Sequence, residues 1–122
     1  MNSVPTRRLS AVAVLLVAAA ALTGCSSSGS AFTGDWGSTA SGQPHLTIKD
    51  DGSFSGSDGC NAMSGKGSVS GDTYTFGPFA STLKACEGVN PWLSRANTAK
   101  VSGSDLVIYA NGGQKVGTLP KK

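Results

Sequence analysis

The sequence is poor in several features on which common functions depend. It contains one histidine, His45, and no run of lysine and arginine of the kind that binds phosphate groups. Its main apolar run, Ala11 to Ala21, is shorter than the about 20 residues that a membrane-spanning helix needs. These shortages argue against a nucleic-acid-binding surface and against a transmembrane helix. They also leave His45 as the one residue that could act as a histidine base.

The N-terminal segment, in contrast, has the pattern of an export signal. Arg7 and Arg8 precede the apolar run, and "LTGC", Leu22 to Cys25, follows it. A short basic segment, an apolar segment and a small-residue cleavage site are typical of a secretory signal peptide. "LTGC" also resembles the bacterial lipobox, at which the chain is cut before the cysteine and the thiol carries a diacylglycerol. We therefore predict a lipoprotein signal peptide over residues 1–24 and a lipid on Cys25.

The predicted lipid puts the mature protein on the outer side of a membrane. A single acyl chain holds a protein only marginally, whereas two or three make a stable anchor. Residues 25–31, which include "SSSGS", form a flexible linker, and residues 32–120 suffice for one small domain. The predicted location is the outer face of the bacterial cell membrane, or the periplasm or outer membrane where a second membrane exists. The general secretory and twin-arginine routes both stay open.

The charge of the mature chain is nearly balanced. Of the ten basic residues, Arg7 and Arg8 leave with the signal peptide, so eight remain against seven acidic residues. The mature net charge is therefore about plus one. Because so small a charge gives no electrostatic reason to bind phosphates, we predict no nucleic-acid partner.

Cys60 and Cys86 are the two cysteines that remain once the lipid has taken Cys25. Disulfides persist in an oxidising compartment, and closing this segment would stabilise a small fold by about 3.5 kcal/mol in the chain-entropy model. The alternatives are free thiols, one of them catalytic with His45 as its base, and a metal site, although two cysteines and one histidine fall short of a closed zinc site. We predict the disulfide, with no metal and no cofactor.

Glycine is abundant, at 17 residues, and separates short segments at close spacing. This pattern is typical of an all-β protein built from hairpins. "HLTIK", His45 to Lys49, alternates apolar and polar residues, and Asp50 to Gly52 reads as a turn. We predict about eight short, mainly antiparallel strands that close into a small barrel, because closure removes exposed strand edges.

One short helix is predicted inside this β-rich chain. Asn90 has the residue type of an N-cap, and Pro91 suits the first helical position. The helix would end near Asn97 and place Trp92 and Leu93 near one face. The tryptophan would then belong to the core, the alternative being an aromatic platform for a ligand.

Three motifs occur along the predicted domain. They are "GDW" at Gly34–Trp36, "DGSFSGSDGCN" at Asp51–Asn61, and "GDTYTFGPFASTLKAC" at Gly71–Cys86. Together they resemble the META domain family of HslJ-like bacterial lipoproteins, which has an opening Gly-x-Trp, a glycine-flanked Gly-Cys-Asn, and a strand followed by Gly-Pro and by a Thr shortly before a second Cys. The likeness spans roughly Phe32 to Leu119.

The resemblance implies a compact, β-barrel-like fold with a small helix in a secreted or envelope-associated protein, and it implies no enzymatic activity. Family members are linked to tolerance of heat and of the antibiotic novobiocin, and in some organisms to motility or secretion. Two departures are visible. Gly67 stands where many members have an aromatic residue, which is expected to loosen the packing there, and the segment after Cys86 is short.

Asn61, Thr82 and Lys84 are the candidate binding residues. The Asn61 amide could hydrogen-bond a ligand; the alternative is that it adopts the left-handed region and bonds its own backbone in a tight turn. Thr82 and Lys84 lie in the loop "PFASTLKACEG", which Cys86 would pin, and loops on a rigid scaffold commonly carry binding. For Thr82 the alternative is a hydroxyl that satisfies a backbone group of the loop.

A calcium site is a further alternative for the three aspartates near the second motif. Asp50, Asp51 and Asp58 could supply carboxylate oxygens, which calcium prefers, but their spacing misses the EF-hand loop. We predict no metal at this position.

These observations lead to one functional prediction and three alternatives. We predict a monomeric, non-enzymatic, membrane-anchored envelope lipoprotein that contributes to stress tolerance by binding an unknown envelope protein or cell-wall component. The alternatives are a barrel that holds one small ligand, a protease-inhibitor-like loop that presents Lys84, and a hydrolase that uses His45.

Overall fold

A computed structural model describes residues 30–122 of the protein. These residues form one eight-stranded antiparallel sheet, in which each strand pairs with its neighbours in the sequence. The strands are β1 (Gly34–Gly37), β2 (His45–Ile48), β3 (Ser53–Ser57), β4 (Ala62–Ser70), β5 (Thr73–Ser81), β6 (Thr98–Ser102), β7 (Asp105–Tyr109) and β8 (Lys115–Pro120). The predicted all-β antiparallel fold is confirmed. The predicted signal peptide and the lipid on Cys25 lie outside the described residues.

The sheet curls until its first and last strands meet. Trp36 of β1 forms an antiparallel bridge with Lys121, which follows β8, and the Lys122 amide donates a hydrogen bond of 3.0 Å to the Asp35 carbonyl. The Lys121 ammonium nitrogen also lies 4.3 Å from the centre of the Trp36 ring, where cation–π attraction acts. These contacts nearly close the barrel, and closure protects the edges of the outer strands.

The junction between β5 and β6 is sparsely paired. Tyr74 and Thr75 of β5 pair with β6, and the Phe76 amide donates a hydrogen bond of 2.9 Å to the Asn97 carbonyl. The rest of β5, residues 77–81, pairs with β4 and with no other strand of the described chain. The barrel therefore has an open seam beside the connection from β5 to β6.

Alternating side chains of the strands fill the barrel interior. The buried core consists of Phe32, Trp36, Leu46, Ile48, Phe54, Met63, Tyr74, Phe76, Leu93, Ala96, Ala99, Leu106, Ile108 and Leu119. Aromatic rings meet edge to face within it, with 5.1 Å between the ring centres of Phe54 and Phe76 and 4.9 Å between those of Tyr74 and Phe76. Large side chains thus occupy the space that a ligand would need.

Tyr74 takes the space beside Gly67. A Cβ atom at position 67 would collide with the Tyr74 ring and hydroxyl, and that hydroxyl donates a hydrogen bond of 2.7 Å to the Gly52 carbonyl. Burial of the ring raises the pKa of Tyr74 to about 12. The expectation of loose packing at Gly67 is therefore wrong, because an aromatic ring from the neighbouring strand fills the site.

The predicted helix is a shorter 3-10 turn, Trp92–Arg95. It begins after Pro91 and has no side-chain cap, so Asn90 does not act as the N-cap. The turn stops before the predicted end at Asn97, because Ala96 has an extended ψ of 127° and the backbone of Asn97 bonds to Tyr109 and Phe76. No helix in the described part of the chain is long and apolar enough to span a membrane.

The 3-10 turn is packed against β8. Leu93 is fully buried in the core, and the Trp92 ring lies over Gly117, where a Cβ atom would come within 2.6 Å of its ring atoms. The tryptophan is half-buried and packs on the core. This agrees with the prediction that it belongs to the core.

The two ends of the barrel differ in the length of their connections. One end, called here the turn end, carries the short turns 49–52, 71–72 and 103–104, together with Ser30 and the C-terminus. The opposite end, called here the loop end, carries the four-residue connection 58–61 and the longer connections 38–44, 82–97 and 110–114. All of the predicted binding residues lie at the loop end.

Candidate binding loop

The segment after β5 lies at the loop end and is largely exposed. Residues 82–86, called here the 82–86 loop, have no regular secondary structure, and the first four are exposed. Leu83 is 98 % exposed, although its side chain is large and apolar. Single exposed apolar side chains are common, so its meaning depends on how the chain around it is held.

Asn61 holds the 82–86 loop from the neighbouring hairpin. Its Oδ1 atom accepts hydrogen bonds from the Thr82 hydroxyl at 2.9 Å and from the Lys84 amide at 2.6 Å. Its Nδ2 atom donates one to the Lys84 carbonyl at 3.2 Å. The side chain is buried, so its polar atoms are directed at the loop. Asn61, Thr82 and Lys84, predicted separately as binding residues, are therefore brought together by contacts with one another.

Thr82 is fixed by its backbone as well as by its hydroxyl. The Ala62 amide donates to the Thr82 hydroxyl oxygen at 3.1 Å, and the Thr82 amide donates to the Ala62 carbonyl, also at 3.1 Å. The hydroxyl thus satisfies a backbone group, which was the alternative to a binding role. Whether Asn61, Thr82 and Lys84 also contact a ligand stays a prediction.

Asp58 positions Asn61 through the turn that joins β3 to β4. Its Oδ1 atom accepts hydrogen bonds from the amides of Cys60, at 2.9 Å, and of Asn61, at 2.6 Å, as an aspartate does in an Asx turn. Among the described residues, no residue other than glycine has a positive φ. The expectation that Asn61 adopts the left-handed region and bonds its own turn is therefore wrong: Asp58 has that role, and Asn61 reaches a distant loop.

Gly59 lets the turn approach the other loops. Its φ is +99°, which favours glycine, and a Cβ atom there would lie 2.7 Å from the Gly42 carbonyl oxygen and 3.2 Å from the Val89 side chain. Three connections of the loop end therefore meet at this residue and form one continuous surface.

The predicted disulfide joins the same two loops. Cys60 and Cys86 are bonded, with 5.8 Å between their Cα atoms, which is within the usual range. Because the bond takes up both thiols, the alternative of a catalytic cysteine with His45 as base is not open to the oxidised protein. The disulfide holds the 82–86 loop at its far end, whereas Thr82 holds it at its start.

The other candidate residues are dispersed. Asp50 and Asp51 lie at the turn end, and Asp58 lies at the loop end; no group of residues in the described part of the chain could hold a metal ion. The side chain and amide of Ser53 both donate to Asp51, which lowers the pKa of that carboxyl group. His45 lies at the start of β2 with its Nδ1 atom buried and unpaired.

A hollow of about 380 Å³ at the turn end reaches the fully buried Tyr74 ring, which closes its floor. Phe54, deeper in the barrel, does not line it. Because core side chains fill the barrel interior, a ligand inside the barrel would have to displace some of them.

Comparison with known proteins bears on the whole of this domain. A family model, the META domain, matches residues 26–122. The chain belongs to the META domain family. No curated protein and no solved structure matches it.

The geometry explains why the motifs of this META domain contain the residues they do. In the motif Gly-Cys-Asn, Gly59 permits the close approach of the loops, Cys60 forms the disulfide and Asn61 anchors the 82–86 loop. In the later motif, the threonine and the second cysteine are Thr82 and Cys86, the two ends of that loop. The motif residues thus build one structural unit.

Two residues of this unit were not foreseen. Asp58 was considered only as a calcium ligand, and its role in the turn could have been read from "SDGCN", since aspartate followed by glycine is a turn signal. Leu83 was not considered because its exposure depends on the tertiary anchoring of its neighbours. The only sequence signal is an isolated apolar residue in the otherwise polar segment "STLK".

Proposed function

We propose that this META domain is a non-enzymatic binding module of the bacterial cell envelope, and that it recognises another envelope component with its loop end. The observation that carries the proposal is the 82–86 loop, whose mostly exposed residues are held by three anchors. A loop that is already ordered loses little conformational entropy when a partner binds. A surface of this kind suits recognition of a macromolecule.

The filled interior supports a surface function over a barrel ligand. Phe54 and Tyr74 are buried, and their rings pack against each other and against Phe76. A ligand inside the barrel would have to displace them, at a cost of several kcal/mol in lost packing. The loop end therefore remains the better candidate for binding.

The proposal includes a lipid on Cys25. Ser30, the first described residue, lies at the turn end, so the lipid would be attached close to that end of the barrel. Ser30 follows the lipidated cysteine by five positions, which span at most about 17 Å when extended. An anchor of this length would keep the turn end close to the membrane and let the loop end face away from it. The proposed location is the outer face of the cell membrane, or the periplasm or outer membrane of a cell with two membranes.

A non-enzymatic role suits the arrangement of the reactive side chains. Both domain cysteines are in the disulfide, and His45 has no hydrogen-bonded partner for its buried Nδ1 atom. Hydroxyl nucleophiles are commonly activated by an imidazole or an amine base, whereas the Thr47 and Ser53 hydroxyls donate to the exposed carboxylates of Asp35 and Asp51. We further propose that the protein acts as a monomer in tolerance of heat or novobiocin, as the family resemblance implies.

Site-specific cross-linking in cells tests the binding surface. A photo-activatable residue at Ala85, in the 82–86 loop, is compared with one at Ser70, which is exposed at the turn end. We expect a discrete cross-linked envelope product from position 85 and none from position 70. Equal products from both positions, or none from position 85, would contradict a binding role for the loop end.

Metabolic labelling tests the anchor separately. Cells are grown with a labelled fatty acid, and the wild-type protein is compared with a Cys25→Ala variant. Label on the wild type alone supports the anchor; an unlabelled wild type removes it from the proposal without affecting the cross-linking result.

A further inference from the structure

We propose that the 82–86 loop is a substrate-like segment that inserts Leu83 into the active site of a serine endopeptidase with an apolar primary specificity pocket, and so inhibits that enzyme. This inference rests on the proposed function, because it names the class of partner that the loop end recognises. It assigns the recognition to Leu83 and not to Lys84, the residue that the sequence suggested.

The exposure of Leu83 fits such a pocket. Proteases of this type bind the residue before the scissile bond by inserting its side chain into a pocket that sets their specificity. The Leu83 side chain is 98 % exposed, whereas the Thr82 hydroxyl on one side and the Lys84 backbone on the other are both bonded to Asn61. The anchors thus leave Leu83 free between two fixed neighbours.

The backbone of Leu83 is free where an endopeptidase needs it. The enzyme binds the carbonyl oxygen of this residue with the donors of its oxyanion hole, and extended substrates also pair through their backbone. Within residues 30–122, neither the amide nor the carbonyl of Leu83 takes part in a hydrogen bond. Both backbone groups of Lys84 are bonded to Asn61, so Lys84 would have to break these bonds to occupy the same position.

The anchors also explain how the loop could resist its own cleavage. Hydrolysis of the Leu83–Lys84 peptide bond would add one water molecule and give a new α-carboxylate on Leu83 and a new α-ammonium group on Lys84. The residue before the cut is held through Thr82, and the chain after it is held through Lys84 and Cys86. The two new ends would therefore stay adjacent in the active site, and the inhibitor would leave slowly.

Inhibition assays with purified proteases test the proposal on the processed, full mature chain in detergent. The probes are chymotrypsin and subtilisin, which accept large apolar residues, and trypsin, which requires a basic one. We expect inhibition of an apolar-specific enzyme and none of trypsin. Leu83→Ala should weaken the inhibition constant by about 30-fold or more, as for a central interface residue. The matched control is Val69→Ala, a partly exposed valine at the turn end, which should change it by less than about threefold.

A change of specificity gives the sharpest outcome. Leu83→Lys should transfer the inhibition from the apolar-specific enzymes to trypsin. Rapid cutting after Leu83 without inhibition, inhibition of trypsin that disappears in Lys84→Ala, or no inhibition of either apolar-specific probe would each overturn the proposal. If inhibition is absent but position 85 still cross-links to an envelope component, the proposed binding surface stands and only the protease assignment falls; if both are absent, both fall.

Discussion

Replacing Asn61 with alanine should test the anchoring of the 82–86 loop most directly. The change removes the three hydrogen bonds that its side chain makes to Thr82 and Lys84. Each such bond contributes about 1 kcal/mol net, so the expected loss of unfolding free energy is about 2–3 kcal/mol. A domain of this size loses about 4–8 °C in Tm per kcal/mol. The expected fall in Tm is therefore on the order of 10–20 °C.

Urea unfolding of the oxidised protein, followed by tryptophan fluorescence, measures this loss. Asn90→Ala is the matched control, because Asn90 is exposed in the connection between β5 and β6. We expect the control to change the unfolding free energy by less than about 0.5 kcal/mol. Asn61→Asp should also destabilise the protein, because it keeps the acceptor for Thr82 and Lys84 but buries a carboxylate whose other oxygen faces the Lys84 carbonyl. If Asn61→Ala costs no more than the control, Asn61 does not anchor the loop.

Three further predictions concern the barrel and the Cys60–Cys86 disulfide. Replacing Cys60 and Cys86 together by serine should lower the unfolding free energy by about 3.5 kcal/mol, measured by urea unfolding; an unchanged midpoint would contradict a stabilising disulfide. Because the pKa of Tyr74 is raised from 10.0 to about 12 in the folded protein, its contribution to stability should be full below pH 10 and lost as the pH rises toward 12; a Tyr74→Phe variant that keeps the same pH dependence would refute this origin. Gly117→Ala should displace the ring of Trp92 and cost about 1–3 kcal/mol, with a shift in tryptophan emission; an unchanged spectrum and midpoint would show that the close approach is unimportant.

The strand pattern was predictable because it depends on neighbouring residues. The alternation in "HLTIK" predicted β2, which ends at Ile48, one residue earlier than expected. The turn after it was read correctly from Asp50 to Gly52, since these residue types favour turns regardless of the rest of the fold. The disulfide was predictable for a different reason: the predicted lipid on Cys25 leaves two cysteines, and the sequence offers no competing set of metal ligands.

The errors concern residues whose surroundings come from distant parts of the chain. Asn61 could bond its own turn or another loop, and only the fold brings Lys84, 23 residues away, within reach. Gly67 suggested loose packing, because the residues around it do not show that the ring of Tyr74, from the neighbouring strand, fills the space. Pro91 predicted a longer helix because nothing in its local sequence shows that the backbone of Asn97 bonds to Tyr109 and Phe76 in distant strands. Tertiary context decided each case.

The open seam between β5 and β6 has a consequence for how the barrel forms and opens. Every other pairing within the sheet joins strands linked by a short connection, so those hairpins can form by local chain closure at low entropic cost. The β5–β6 pairing comes after a connection of 16 residues, 82–97, and involves two residue pairs. Strands β1–β5 and strands β6–β8 should therefore form two separate sets of hairpins, and the pairing between β5 and β6 should form late in folding. In the native state the sheet should separate first along this line, so that the amides of residues 77 and 79–81 exchange with solvent faster than those of β7, which exchange only on global unfolding.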